Sequence, residues 1–195
     1  MIKVAIVYHS GFGHTKLQAQ AVAEGAESID GVSVLMLTAA EACERIDELD
    51  NAHAIVFGSP TYMGNIAAEM QKFIEEAAKK WFVQAWKDKI AGAFTNSSNF
   101  SGDKLNTMMG LLINAMQHGM IFVGLGMLPA ANQPDSLNSI NGPGPDAHNR
   151  VGCSIGPLGT SFQVKPGEAP SKGDIKTAFE YGKRISVITK QFHSK

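Results

Sequence analysis

Cysteine is scarce: Cys43 and Cys153 are the only two in 195 residues, and no C-x-x-C pair occurs. That argues against a zinc or iron–sulfur cluster and suits a reducing compartment. An excess of one charge is missing too, with a formal net charge of -1. A chain so balanced offers no field to nucleic acid or to an anionic membrane. Its lysines and arginines are scattered, and Lys79-Lys80 and Lys183-Arg184 are their densest spots. No apolar run approaches the roughly 18 residues of a membrane span. Met1 leads straight into an apolar segment, so no signal peptide is expected and the location reads as cytoplasmic. No internal repeat or low-complexity tract is visible. What the chain does have is a hydrophobic content of 44%, that of an ordinary globular domain, and a length suited to one domain, residues 1–195.

The first fifteen residues carry the most information. Lys3-Val4-Ala5-Ile6-Val7-Tyr8-His9 reads as a buried parallel strand. Ser10-Gly11-Phe12-Gly13-His14-Thr15 makes a tight polar turn, and an amphipathic helix begins at Lys16. A strand, a hydroxyl- and glycine-rich turn and a helix N-terminus form a cradle for a phosphate, because free N–H groups and the helix dipole point at the anion. It is not a Walker loop, since no Lys-Ser/Thr pair follows a glycine at that spacing. Nor is it the dinucleotide fingerprint: Lys16 stands where the third glycine belongs, and Thr38, not an acid, follows the second strand. Ser10 and Thr15 are the side-chain donors, and Thr15 with Gln18 matches a capping box.

Strand and helix patterns alternate along the chain. Strands are expected at 32–37, 54–58, 89–95 and 120–123, and helices at 16–29, 40–48, 67–80, 103–117 and 172–192, the last capped by Ser171. Loops are expected at 59–65 and 96–102. The alternation predicts an α/β fold with a doubly wound, five-stranded parallel sheet covered by helices on both faces. Right-handed crossovers bring the loops after strands one, three and four to the carboxyl edge of the sheet, where ligands bind in such folds. Residues 124–170 break the pattern, holding seven of the eight prolines. An irregular stretch of that length suggests an excursion over the active-site edge, a contact with a neighbouring subunit, or a long surface loop.

The edge loops together resemble the flavodoxin-like FMN proteins, and among them the NAD(P)H:quinone oxidoreductases first named tryptophan-repressor-binding proteins. The motifs are Ser10–Thr15, the string Gly58-Ser59-Pro60-Thr61-Tyr62-Met63-Gly64-Asn65, the loop from Thr95-Asn96-Ser97-Ser98 through Gly102, and His118-Gly119-Met120. The resemblance covers roughly residues 1–123 and the last helix. It implies a site for FMN. Ser10, Gly11, Phe12, Gly13, His14 and Thr15 would hold the phosphate. Pro60, Thr61, Tyr62, Met63, Gly64 and Asn65 would run along the isoalloxazine ring, with Gly64 and Asn65 offering backbone groups to its N5 edge. Thr95, Asn96, Ser97, Ser98, Phe100 and Gly102 would border the ribityl chain and the pyrimidine end, and His118 would close one rim. Phe12 would face the nicotinamide side, and the family's pocket-wall tryptophan maps to Trp81 or Phe82. Tyr62-Met63 stands where members often carry Arg-Phe.

The resemblance further implies NADH or NADPH as hydride donor, a quinone or similar small acceptor, and a homodimer or homotetramer. Azo and nitro compounds are related acceptors. His118 would donate a proton or hydrogen bond to a quinone oxygen; a histidine at a helix end also suits the dipole. Tyr62 and Trp81 suit a pocket, a core or an interface equally. No metal site is expected. A single-electron carrier of the flavodoxin type and an FMN-binding scaffold or sensor are the rival readings, the carrier disfavoured by the weak net charge.

Overall fold

Runs of small and β-branched apolar residues build the inner strands, because only such side chains suit a sheet covered on both faces. The computed structural model describes residues 1–139 and 142–193. In chain order the elements are β1 (Ile2–Tyr8), α1 (His14–Glu27), β2 (Val32–Thr38), α2 (Ala39–Glu44), β3 (Ala54–Tyr62), β4 (Asn65–Ile66), α3 (Ala68–Glu76), α4 (Ala78–Phe82), β5 (Ile90–Ser97), α5 (Lys104–Gln117), β6 (Ile121–Phe122), β7 (Leu158–Thr160) and α6 (Lys172–His193). The sheet order is β2-β1-β3-β5-β6, all parallel, with Val4 opposite both Val34 and Ala54. β4 folds back antiparallel on the end of β3.

Two apolar cores flank the sheet. One packs Phe57, Phe73, Trp86, Met108 and Leu111 beneath α2, α3 and α5. The other packs Val22, Phe94, Tyr181 and Ile185 beneath α1 and α6. The Tyr181 hydroxyl donates to Val123 O at 2.6 Å and accepts from Ala93 N at 3.3 Å, which ties α6 to the sheet. Where α1 and α6 cross, a Cβ on Gly25 would lie 1.9 Å from Phe179 O, and one on Gly182 2.0 Å from Val22 O.

The strand and helix order follows the sequence expectation, with local differences. The helix expected over 40–48 ends at Glu44, and a 3-10 segment follows over Ile46–Asn51. β3 runs on through Tyr62, where a loop was expected from Ser59, because Ser59 and Pro60 pair with Thr95 and Asn96. The helix expected over 67–80 breaks at Ala77 into α3 and α4. The strand expected over 120–123 shortens to β6, and the fifth position of the sheet is completed by β7, drawn from the proline-rich stretch. The Thr15/Gln18 capping box does not form. Gly13 takes the N-cap with φ +92, and Gln18 is fully buried, with its amide placed to bond Thr95 O at 3.1 Å and Gly159 N at 3.0 Å. A capping box forms at Thr38 and Glu41 instead. Ser171 caps α6, its hydroxyl accepting from Asp174 N at 3.2 Å.

Between β6 and β7 the chain leaves the sheet and is held by Asn149. That side chain donates to Met127 O at 3.2 Å and accepts from Cys153 N at 3.0 Å. Ile140 and Asn141, within the stretch 124–170, lie outside the described residues, as do Ser194 and Lys195.

Candidate functional site

Parallel pairing sets β1, β3, β5 and β7 side by side, so the loops at their carboxyl ends meet over one edge of the sheet. A cavity of about 670 Å³ opens there. Ser10, Phe12, His14 and Thr15 line it from the first turn, Pro60 to Met63 from the end of β3, and Asn96 to Ser98 from the end of β5.

The turn is organised by Ser10, whose Oγ accepts from Gly13 N and from Lys16 N, both at 3.1 Å. Among the described residues, the N–H groups of Phe12, His14 and Thr15 have no protein acceptor. They are the orphan donors of a helix start and suit an anion. Gly11 N–H meets the Tyr62 hydroxyl, and burial pushes that phenol above its ordinary range. A Cβ at Gly11 would sit 2.5 Å from the same oxygen. The Phe12 and Tyr62 rings meet edge to face at 6.1 Å.

The second loop is braced from below. Thr61 Oγ1 bonds Thr95 Oγ1 at 2.8 Å and Thr107 Oγ1 at 2.9 Å. This explains the place of Thr95, which is fully buried under the floor and does not line the cavity. Met63 (φ 47) and Gly64 (φ 74) turn the chain sharply at the rim, and Asn106 Nδ2 fastens the turn through Gly64 O at 2.8 Å and Asn65 Oδ1 at 3.0 Å. In the third loop Gly102 (φ 54) leaves no room for a side chain, since a Cβ would lie 2.2 Å from Ser97 Oγ. Phe100 stays half exposed at the rim, edge to face with Phe162.

One wall comes from the proline-rich stretch, part of which passes over this edge, although its individual residues were not expected at the site. Ser161, Gln163, Val164, Lys165 and Pro166 line the cavity, all from the anomalous stretch. Ser161 N and Phe162 N donate to Ser97 O and Ser98 O at 2.9 and 2.8 Å, which extends the β5–β7 pairing into the site. The buried His14 ring fixes the wall through Val164 O at 2.8 Å. The density of prolines marked this stretch as unusual, but its pairing with β5 has no local signature.

His118, Trp81 and Phe82 lie elsewhere in the chain. Helix α5 runs from the carboxyl edge back to the amino edge; its 14 residues span about 21 Å at 1.5 Å each. Gly119 O accepts from Asp88 N at 3.0 Å, beside the start of β5. His118 is thus far from its own chain's cavity. It is 3% exposed, its ring packs 4.5 Å from that of Trp86, and burial pushes its imidazole below the ordinary range. The rim position expected of it is not found within its own chain: the enclosed imidazole lies at the opposite edge and does not line this cavity. The Trp81 and Phe82 rings meet edge to face at 4.9 Å, 38% and 76% exposed, on α4 near the same amino edge. Neither lines the cavity.

The chemistry at the edge fits a phosphorylated, flat, partly polar ligand. Orphan N–H donors and the Ser10 and Thr15 hydroxyls suit the phosphate, and the apolar Phe12, Pro60, Tyr62 and Met63 suit a ring. Asn96, 3% exposed, also lines the cavity and carries a buried Nδ2 with no hydrogen-bond partner. FMN has this constitution, and these residues would hold it. Among the described residues, no group of three or more His, Cys, Asp or Glu could hold a metal ion. No helix among them is long and apolar enough to cross a membrane.

Fold and site together define a flavodoxin-like FMN protein. The model of the NADPH-dependent FMN reductase family matches residues 36–135, and the chain belongs to that family. It is 38% identical to "Flavodoxin FldP" of Pseudomonas aeruginosa over 100% of both chains. It is 29% identical to an "NAD(P)H dehydrogenase (quinone)" of Syntrophobacter fumaroxidans, over 97% of this chain and 98% of that one. Among solved structures, a flavodoxin, WrbA-like protein from Agrobacterium tumefaciens superposes with a TM-score of 0.74 at 34% identity, covering 98% of this chain and 99% of the other.

Proposed function

We propose that this chain is an FMN-dependent reductase that takes two electrons from NAD(P)H and passes them to a quinone. The observation that carries the reading is the Ser10–Thr15 turn, whose unpaired N–H groups open into an apolar, carboxyl-edge cavity. When bound, FMN supplies the hydride-transfer chemistry. The chain's own residues bind and orient it. Ser10, Thr15 and the free N–H groups of Phe12, His14 and Thr15 hold the phosphate. Pro60 to Asn65 run along the ring, Asn96 to Ser98 border its polar end, and Phe12 with Tyr62 flanks the slot left for nicotinamide or quinone. The quinone is supported by the likeness to the Syntrophobacter NAD(P)H dehydrogenase (quinone).

NADH added anaerobically to the FMN-loaded protein should bleach the visible flavin spectrum with no partner reductase present, and a quinone should restore it. A second reading, a single-electron carrier, is favoured by the likeness to "Flavodoxin FldP"; in that case the spectrum persists until a separate reductase is supplied.

Residues 1–195 act as one domain in this reading, and the two free cysteines support a cytoplasmic setting. We further propose a homo-oligomer. Trp81, Phe82 and Val83 are exposed, and Ile113 and Met116 of α5 are half exposed; exposed apolar surface favours association. Light scattering should give a mass at least twice that of one chain, and Phe82→Asp should lower it; a monomer at every concentration refutes the proposal.

A further inference from the structure

Lys104 stands at the start of α5 and is only 1% exposed. Its ammonium donates to the Asn99 carbonyl, to Phe100 O at 3.0 Å and to Thr160 Oγ1 at 3.4 Å. A buried ammonium without partners is strongly unfavourable. Here the three oxygens and the nearby Asp174 carboxylate compensate it, and Arg150 is the other cation facing Asp174. Burial lowers the amine to about 8, so at neutral pH most of it is charged. The loop it grips is the one joining β5 to α5, whose first residue, Ser98, lines the cavity with Ser97.

In a trans peptide the N–H points opposite to the carbonyl of the same unit. With the carbonyls of Asn99 and Phe100 turned toward the ammonium, the N–H groups of Phe100 and Ser101 face away from it. Among the described residues, no backbone N–H from Ser98 to Gly102 finds a protein acceptor. A run of free donors is thus held in place from behind by a cation, which also polarises them. The function proposed above does not account for this arrangement.

We propose that Lys104 is a positioning residue for the flavin: it holds the 98–102 loop so that the free N–H groups meet the pyrimidine edge of FMN, and its charge favours reduced, anionic flavin over oxidised flavin. The inference rests on the FMN reading and adds a residue to it. Charge near the pyrimidine end is one of the means by which a protein tunes flavin electronics.

The test compares Lys104→Gln, Lys104→Met and Lys104→Arg with the parent, by fluorescence titration of apoprotein with FMN and with riboflavin and by the midpoint potential of the bound FMN. Gln keeps a donor for the carbonyls and removes the charge; Arg keeps the charge. Gln and Met should weaken FMN and riboflavin binding alike, by about tenfold. Both should lower the midpoint potential, because affinity for reduced flavin falls about tenfold more than for oxidised flavin, whereas Arg should hold the potential near the parent's. A purely structural role would weaken both oxidation states equally and leave the potential unmoved, and that result overturns the proposal. A parent apoprotein that takes up no flavin would instead overturn the FMN reading, and this inference with it.

Discussion

Ser10→Ala combined with Thr15→Ala should raise the dissociation constant for FMN by about 100-fold and leave that for riboflavin nearly unchanged. Two hydroxyl contacts to a phosphate are worth about 1.5 kcal/mol each when charge-assisted, and about 3 kcal/mol together is a factor of roughly 100 or a little over, at about 1.4 kcal/mol per tenfold. Ser10 has a second role, since its Oγ already accepts from Gly13 N and Lys16 N. Its loss loosens the turn that aims the free N–H groups. Both effects act at the phosphate, so the split between FMN and riboflavin is the diagnostic readout. Equal weakening of the two flavins would move the phosphate away from this turn.

Gly182→Ala should lower the melting temperature by about 6–12 °C. The added Cβ would lie 2.0 Å from Val22 O and 2.8 Å from Val22 C. Backbone on a packed helix cannot yield as a flexible side chain does, so α6 must lift off α1. Overpacking of this kind costs about 3 kcal/mol, and a domain of this size loses about 2–4 °C per kcal/mol. Gly25→Ala faces Phe179 O across the same crossing and should act similarly. Because α1 begins in the phosphate turn, FMN added in excess should recover part of the loss by mass action. Differential scanning calorimetry with and without FMN measures both. Gly31→Ala is the control for a positive φ in open space (φ +78, with nothing within 4 Å); its fall should be smaller.

Much of this site is local, and local features are legible. The run from Lys3 to His9 makes a buried strand because its apolar residues suit a sheet covered on both faces. Ser10 to Thr15 make a cradle because glycines and a helix start leave N–H groups unpaired. The loops after β3 and β5 reach the same edge because parallel strands joined by right-handed crossovers put them there. The corrections share one cause. Thr15 and Gln18 satisfy a capping pattern, but the interior between Thr95 and Gly159 offers Gln18 bonds that a surface helix end does not. Leu158 to Thr160 carry no strong strand pattern; β5 recruits them, and so the wall from Ser161 to Pro166 could not be placed from its own residues. His118 looked like a site residue by its motif, while the length of α5 carries it to the far edge.

Lys104 makes the division sharpest. In sequence it is one more lysine at a helix start, where a cation is electrostatically misplaced. Buried against two carbonyls and the Thr160 hydroxyl, it becomes the support of a ligand loop. Strand order, edge and phosphate turn follow from residues near one another along the chain, where periodicity and backbone propensity act directly. Which buried groups pair, which stretch completes the sheet and which face of a histidine or lysine is enclosed depend on residues tens of positions apart. Those choices were decided only when folding removed water from between them.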